Sequence, residues 1–91
     1  MSAAADAPSG RLVVLLFAGA REAAGGVDRL ELEAAPGSTV DDLLVVLGRR
    51  FPALAPHRGS LRVAVNRDYV EPDHALRDGD EVALIPPVSG G

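Results

Sequence analysis

The sequence predicts an α+β domain in which a mixed β-sheet wraps one main helix. Three observations carry that expectation. Residues 12–17 read Leu-Val-Val-Leu-Leu-Phe, a continuous apolar run rich in β-formers. Val40, Leu43, Leu44, Leu47 and Phe51 recur at the i, i+3, i+4, i+7 and i+11 spacing of one helical face. A second apolar run, residues 81–85, follows the turn signal Asp78-Gly79-Asp80. Ninety-one residues allow one small domain whose core suffices without covalent staples.

In chain order, residues 1–10 are Met1 followed by Ala, Ser, Pro and Gly with one Asp, too little apolar surface to offset the entropy of ordering. They are expected to form a disordered leader before a domain at 11–85. The first apolar run has the pattern of a central strand covered on both faces. Arg21 and Glu22 then fall in a loop ending at Gly25-Gly26, and Leu30-Glu31-Leu32-Glu33 alternates with period two as a half-exposed strand paired to the first. Pro36-Gly37 marks a turn. Thr39 reads as an N-cap with Asp42 three residues on, and acid in the first turn suits the helix dipole. Arg49 and Arg50 suit the other end of that dipole, and Pro52 stops the helix, while Gly48 weakens it by about 1 kcal/mol relative to Ala. Residues 53–60 read as a loop, 61–66 as an alternating strand, Asn66-Arg67-Asp68 as a turn, and Tyr69-Val70 as a short strand before the last one. Two hairpins separated by one helix, with an apolar first and last strand, give the β-grasp, or ubiquitin-like, arrangement.

Composition narrows the function. Apolar residues make up 47% of the chain but aromatics only 3%, so the core is built from Leu, Val and Ala and stacking platforms for nucleobases are missing. A formal charge of −4 opposes binding along a phosphate backbone, which excludes nucleic acid as the expected partner. The absence of cysteine removes disulfides, thiolate metal sites, iron-sulfur ligation and a thiol nucleophile. No apolar run approaches the roughly 18 residues of a membrane span. Arg11 followed by residues 12–17 and Ala18-Gly19-Ala20 has the outline of a secretory signal, but Asp6 precedes it and cleavage would remove the best strand. A cytoplasmic protein is expected.

The last six residues, Pro86-Pro87-Val88-Ser89-Gly90-Gly91, form the most distinctive motif. Neither proline has an N–H to donate, so the pair ends a strand and favours a stiff extended projection. At about 3.3 Å per residue such a tail reaches roughly 20 Å. Glycine lacks a Cβ, so a Gly-Gly end fits a channel too narrow for other residues. The competing reading is a frayed end or a linker, for which small residues are equally common.

Phe17-Ala18 with Arg21-Glu22, Val63-Ala64-Val65-Asn66, Leu76 with residues 78–83, and the closing Pro-Pro-Val-Ser-Gly-Gly occur in unbroken order from about Leu12 to Gly91. This ordered set resembles the small, sulfur-carrying subunit of molybdopterin synthase, in the MoaD/ThiS-like group of ubiquitin-like proteins. The leader is the main departure. The resemblance implies that Gly91 is adenylated by a partner enzyme using ATP, becomes a thiocarboxylate, and donates sulfur to cyclic pyranopterin monophosphate in molybdenum cofactor biosynthesis. An α-carboxyl, with a pKa of about 3.5, is an anion and a poor electrophile at neutral pH, which is why it needs activation. The resemblance further implies an activating enzyme and a large subunit, the latter in a heterotetramer, as partners. On this reading the chain is a carrier with no bound cofactor, Gly90 gives clearance, and Pro86, Pro87, Val88 and Ser89 set reach. A sulfur carrier for thiamine or cysteine synthesis, and a ubiquitin-like modifier or interaction module, are the alternatives.

Phe17, Arg21, Tyr69 and Ile85 match interface positions of that family. From the residues alone, Phe17 and Ile85 fit a core equally well, Arg21 either docks an acidic patch or closes its loop against Glu22, and Tyr69 suits an interface rim or its own sheet. Residues 78–81 lack the ligand spacing of a calcium loop, and His57 and His74 have no ligand or nucleophile at useful spacing, so no metal is expected. Catalytic groups are expected on the partners.

Overall fold

The computed structural model describes residues 10–35 and 37–87. The leader residues 1–9, Pro36 of the expected turn, and Val88, Ser89, Gly90 and Gly91 of the tail lie outside the described residues. The elements are β1 (Gly10–Leu16), α1 (Ala18–Ala23), β2 (Arg29–Ala34), α2 (Val40–Arg50), a 3-10 helix (Pro52–Ser60), β3 (Arg62–Val65), β4 (Asp68–Val70) and β5 (Glu81–Ile85). One five-stranded sheet has the order β2-β1-β5-β3-β4. β1 and β5 are parallel neighbours at its centre, and the β1–β2, β3–β4 and β3–β5 pairs are antiparallel. A mixed sheet with one main helix is the α+β, β-grasp architecture that the apolar pattern predicted.

The alternation along each strand decides what is buried. Leu12, Val14 and Leu16 of β1, Val82 and Leu84 of β5, and Val63 and Val65 of β3 point to the helix side and are almost fully buried. Val40, Leu43, Leu44 and Leu47 of α2 meet them there. Each such side chain contributes about 1.5–3 kcal/mol through burial. Thr39 and Asp42 form the expected capping box: Thr39 Oγ1 accepts from the Asp42 N–H at 3.2 Å and Asp42 Oδ2 accepts from the Thr39 N–H at 3.0 Å.

Four expectations are corrected. β1 is central but not covered on both faces, because Val13 and Leu15 are only half-buried; the single helical layer covers one side of the sheet and leaves the other open. Arg21 and Glu22 stand on α1 rather than in a loop, in a six-residue helix too short for an apolar period to announce it. Residues 52–60 are a 3-10 helix rather than a loop, entered at Pro52 and anchored by Leu54, which is 2% exposed. Gly10, assigned to the leader, opens β1. A Cβ there would lie 3.0 Å from the backbone of Asp78, so this close approach favours glycine, and the adjacent Arg11 N–H donates to Asp78 Oδ1 at 2.8 Å.

Gly48 faces the 3-10 helix, next to Ala55. A Cβ on it would meet Ala55 Cβ at 3.4 Å, an ordinary van der Waals contact, so α2 and the 3-10 helix pack against each other here without excluding an alanine.

Candidate functional site

Because β1 and β5 run parallel, they end together, and the tail leaves from that end. Leu16 is level with Leu84, and the Phe17 N–H donates to the Leu84 carbonyl at 3.3 Å. One step further along the same register places Phe17 beside Ile85, and Ile85 is opposite Arg62 on β3. Leu16, Leu84 and Val63 face inward, so Phe17, Ile85 and Arg62 fall on the open face of the sheet. The next row on this face reads Arg29, Leu15, Ala83, Ala64 and Tyr69 across all five strands.

That face has the chemistry of a docking surface. Its middle is apolar, with Leu15, Ala83, Ala64 and Ile85, and two exposed aromatics border it, Phe17 at the end of the central β1 and Tyr69 on the edge strand β4: Phe17 is 47% exposed and Tyr69 63% exposed. Large apolar groups left in water beside a partly covered aliphatic strip mark a surface that gains by being covered. Phe17 is therefore not a core residue, and Ile85 is half-buried rather than enclosed. The Arg62 guanidinium lies over the Tyr69 ring, 5.6 Å from its centroid, which holds both on the rim.

Arg21 is exposed on α1. Together with Phe17, Asp28 and Arg29 it lines a depression of about 350 Å³ at the same end of the sheet. Among the described residues it has no carboxylate within ion-pair distance, so it does not close against Glu22. The structure thus gathers Phe17, Arg21 and Ile85 at the end from which the tail departs, and sets Tyr69 on the same face at its far edge. Sequence reasoning missed Arg62 and Arg29. The alternation of β3 carried a signal for Arg62, since a strand with Val63 and Val65 inward turns residue 62 outward.

The root of the tail is seated, not free. Pro86 is half-buried and Pro87 exposed, and the two share a depression of about 230 Å³ with Gly19 and Ala20 of α1, His57 and Ser60 of the 3-10 helix, and Leu61 just after it. Each proline ring fixes its own φ, and Pro86 is the more enclosed of the two. His57 is exposed and borders this seat. Gly91, Gly90, Ser89 and Val88 lie beyond the described residues.

The acidic turn is structural. Asp78 Oδ1 accepts the Arg11 N–H, while Asp80 accepts the Arg77 N–H at 2.8 Å and the Asn66 amide at 2.9 Å. Among the described residues no three His, Cys, Asp or Glu side chains gather where they could hold a metal ion, and no helix is long and apolar enough to cross a membrane.

Comparison with known proteins places this geometry in a family. A relative from Chlamydomonas reinhardtii, the molybdopterin synthase sulfur carrier subunit, is 43% identical over 83 residues, covering 89% of this chain and 99% of its own. The protein of the same name from Escherichia coli is 46% identical over 80 residues, covering 86% and 96%. The crystal structure of small archaeal modifier protein 1 from H. volcanii matches with a TM-score of 0.78 and 29% identity, over 87% of this chain and 99% of that one. The ThiS family model matches residues 14–91. By that match, which takes in every strand from the middle of β1 onward and the whole tail, the chain belongs to the ThiS family.

Proposed function

We infer that this chain is the sulfur-carrier subunit of molybdopterin synthase. The observation that carries the reading is a conjunction: relatives that match over nearly their whole length bear that name, and the open face and seated prolines stand at the end of the sheet where the Gly-Gly motif leaves. The body is a handle. The open face with Phe17, Ile85 and Tyr69, and Arg21 beside it, docks the large subunit, and Pro86 to Ser89 carry Gly90 and Gly91 into its active site.

Chemistry at Gly91 then follows from the carboxylate. One of its oxygens attacks the α-phosphorus of ATP bound to the activating enzyme, pyrophosphate leaves, and the resulting mixed anhydride is an electrophile. A sulfur nucleophile displaces AMP, and the thiocarboxylate is a soft nucleophile suited to transferring sulfur to cyclic pyranopterin monophosphate. ATP is the activating enzyme's substrate, the assembly is a heterotetramer of two small and two large subunits, and the setting is the cytoplasm. One added residue after Gly91 should abolish sulfur transfer while thermal unfolding stays unchanged; an extended chain that still supports molybdopterin synthesis would falsify the insertion reading.

The likeness to a small archaeal modifier protein favours a second reading, in which the activated Gly91 is joined to lysines of other proteins. This chain contains no lysine, so an amide to a side chain would have to form on another protein. Lysine-linked adducts of Gly91 in cells would support it. Binding to a molybdopterin synthase large subunit separates the first reading from a carrier serving thiamine or cysteine synthesis.

A further inference from the structure

We propose that Arg49, Arg58 and Arg62 form a cationic docking stripe that fits an acidic protein surface beside the channel of an enzyme that receives the tail. The proposal rests on the carrier reading and adds a second contact surface to it, around the corner from the open sheet face.

The first observation is the distribution of charge. Between Asp42 and Asp68 the chain holds five arginines and no carboxylate, leaving four arginines against thirteen carboxylates in the rest. A net charge of −4 therefore hides one cationic segment in a strongly acidic molecule. Folding concentrates it. Arg58, on the 3-10 helix, lines two neighbouring depressions that also share Leu44. The larger, about 580 Å³, has Arg62 on its wall and Val40 and Val63 among its apolar groups. The smaller, about 230 Å³, has Arg49 beside Gly48 and Ala55. The three guanidinium groups thus follow one another along α2, the 3-10 helix and β3.

The stripe keeps unspent charge. Arg58 is paired with Asp41 at 3.1 Å, whereas Arg49 and Arg62 have no carboxylate within 4.0 Å among the described residues. Asp41 and Glu71 also border the larger depression and balance its two arginines, so the excess positive charge of the stripe comes from Arg49, with Arg62 free of an ion pair among the described residues. Two unpaired guanidiniums over an apolar floor suit a partner segment that offers carboxylates around an aliphatic side chain. A polyanion such as RNA fits less well, because it extends well past a Debye length of about 8–10 Å into the acidic remainder of the molecule.

Position ties the stripe to the tail. Arg62 is opposite Ile85 in register and stacked on Tyr69, so the stripe continues directly from the open face. The 3-10 helix that carries Arg58 also borders the seat of Pro86 and Pro87. An enzyme that covers the open face and takes in the tail must therefore pass beside these arginines. Opposite charges there would orient the encounter and speed association.

The test measures association of the full chain with the large subunit and with the activating enzyme by stopped flow, at low and high salt, alongside thermal unfolding. The variants are Arg49→Glu with Arg62→Glu, the milder Arg49→Gln with Arg62→Gln, and Arg77→Glu at the opposite end of the sheet as a control. The stripe variants should associate at least about tenfold more slowly with one of the two enzymes at low salt, with the difference shrinking at high salt and the control unaffected. Unchanged rates with both enzymes, or equal slowing by Arg77→Glu, overturn the stripe while leaving the carrier reading intact. Loss of binding to a single-stranded RNA with unchanged enzyme association overturns it in favour of a nucleic-acid site. A wild-type chain that binds neither enzyme removes the carrier reading and the stripe together.

Discussion

The side-chain amide of Asn66 donates to Asp80 Oδ1 at 2.9 Å, and the Asn66 oxygen accepts the Glu81 N–H at 3.0 Å. This pair ties the β3–β4 turn to the first residue of β5, and Asp80 Oδ2 also accepts the Arg77 N–H. β5 is the strand that aims the tail, so the pair fixes its starting point at the end of the sheet remote from the chemistry. Asp80 is 9% exposed, and removing one partner leaves buried polar groups unsatisfied. Asn66→Ala or Asp80→Ala should therefore cost about 1–3 kcal/mol in chemical denaturation. A double variant should lose less than the sum of the two, because the shared bond can be lost only once.

The turn that Asn66 opens carries strain that can be relieved. Asn66 and Arg67 have φ of 51° and 76°, the left-handed pair of a tight hairpin turn that favours Asn-Gly. Asn tolerates this region, but arginine does so at a cost of roughly 1 kcal/mol. Arg67→Gly should therefore raise stability by up to about 1 kcal/mol, the gain being partly offset by the entropy of an added glycine in the unfolded chain. Thermal unfolding checks it, and a fall in stability would show that the Arg67 side chain makes a compensating contact.

Exposure of Phe17 separates folding from docking. Phe17→Asp places a charge where the ring is about half in water, so stability should change by no more than about 1 kcal/mol. Binding to the large subunit, measured by calorimetry, should weaken at least about a hundredfold, as expected for an aromatic anchor of an interface. A variant that unfolds would instead return Phe17 to the core.

How much of this was legible in the sequence depends on the element. The apolar stripe of α2, its Thr39–Asp42 cap and the alternation of β2 are local patterns, and each appears in the structure as read. The unbroken run at 12–17 was legible as a central strand, but its meaning was inverted. Val13 and Leu15 lie half-buried on the open face, and an unbroken apolar run reads the same whether that face is packed under a helix or left open. α1 was invisible because six residues give no full apolar period, and the 3-10 helix because its two prolines resemble loop punctuation. The tail seat at His57, and the sequence of Arg49, Arg58 and Arg62 along one surface, depend on contacts between segments distant in the chain.

The most direct test is the intact mass of the full chain after incubation with the activating enzyme, ATP and a sulfur donor, followed by fragmentation of the C-terminal peptide. The account predicts that one oxygen is replaced by one sulfur and that the change maps to the carboxyl of Gly91. Sulfur found at another residue, an unchanged mass under conditions that convert a known carrier, or further residues beyond Gly91 in the active form would contradict it.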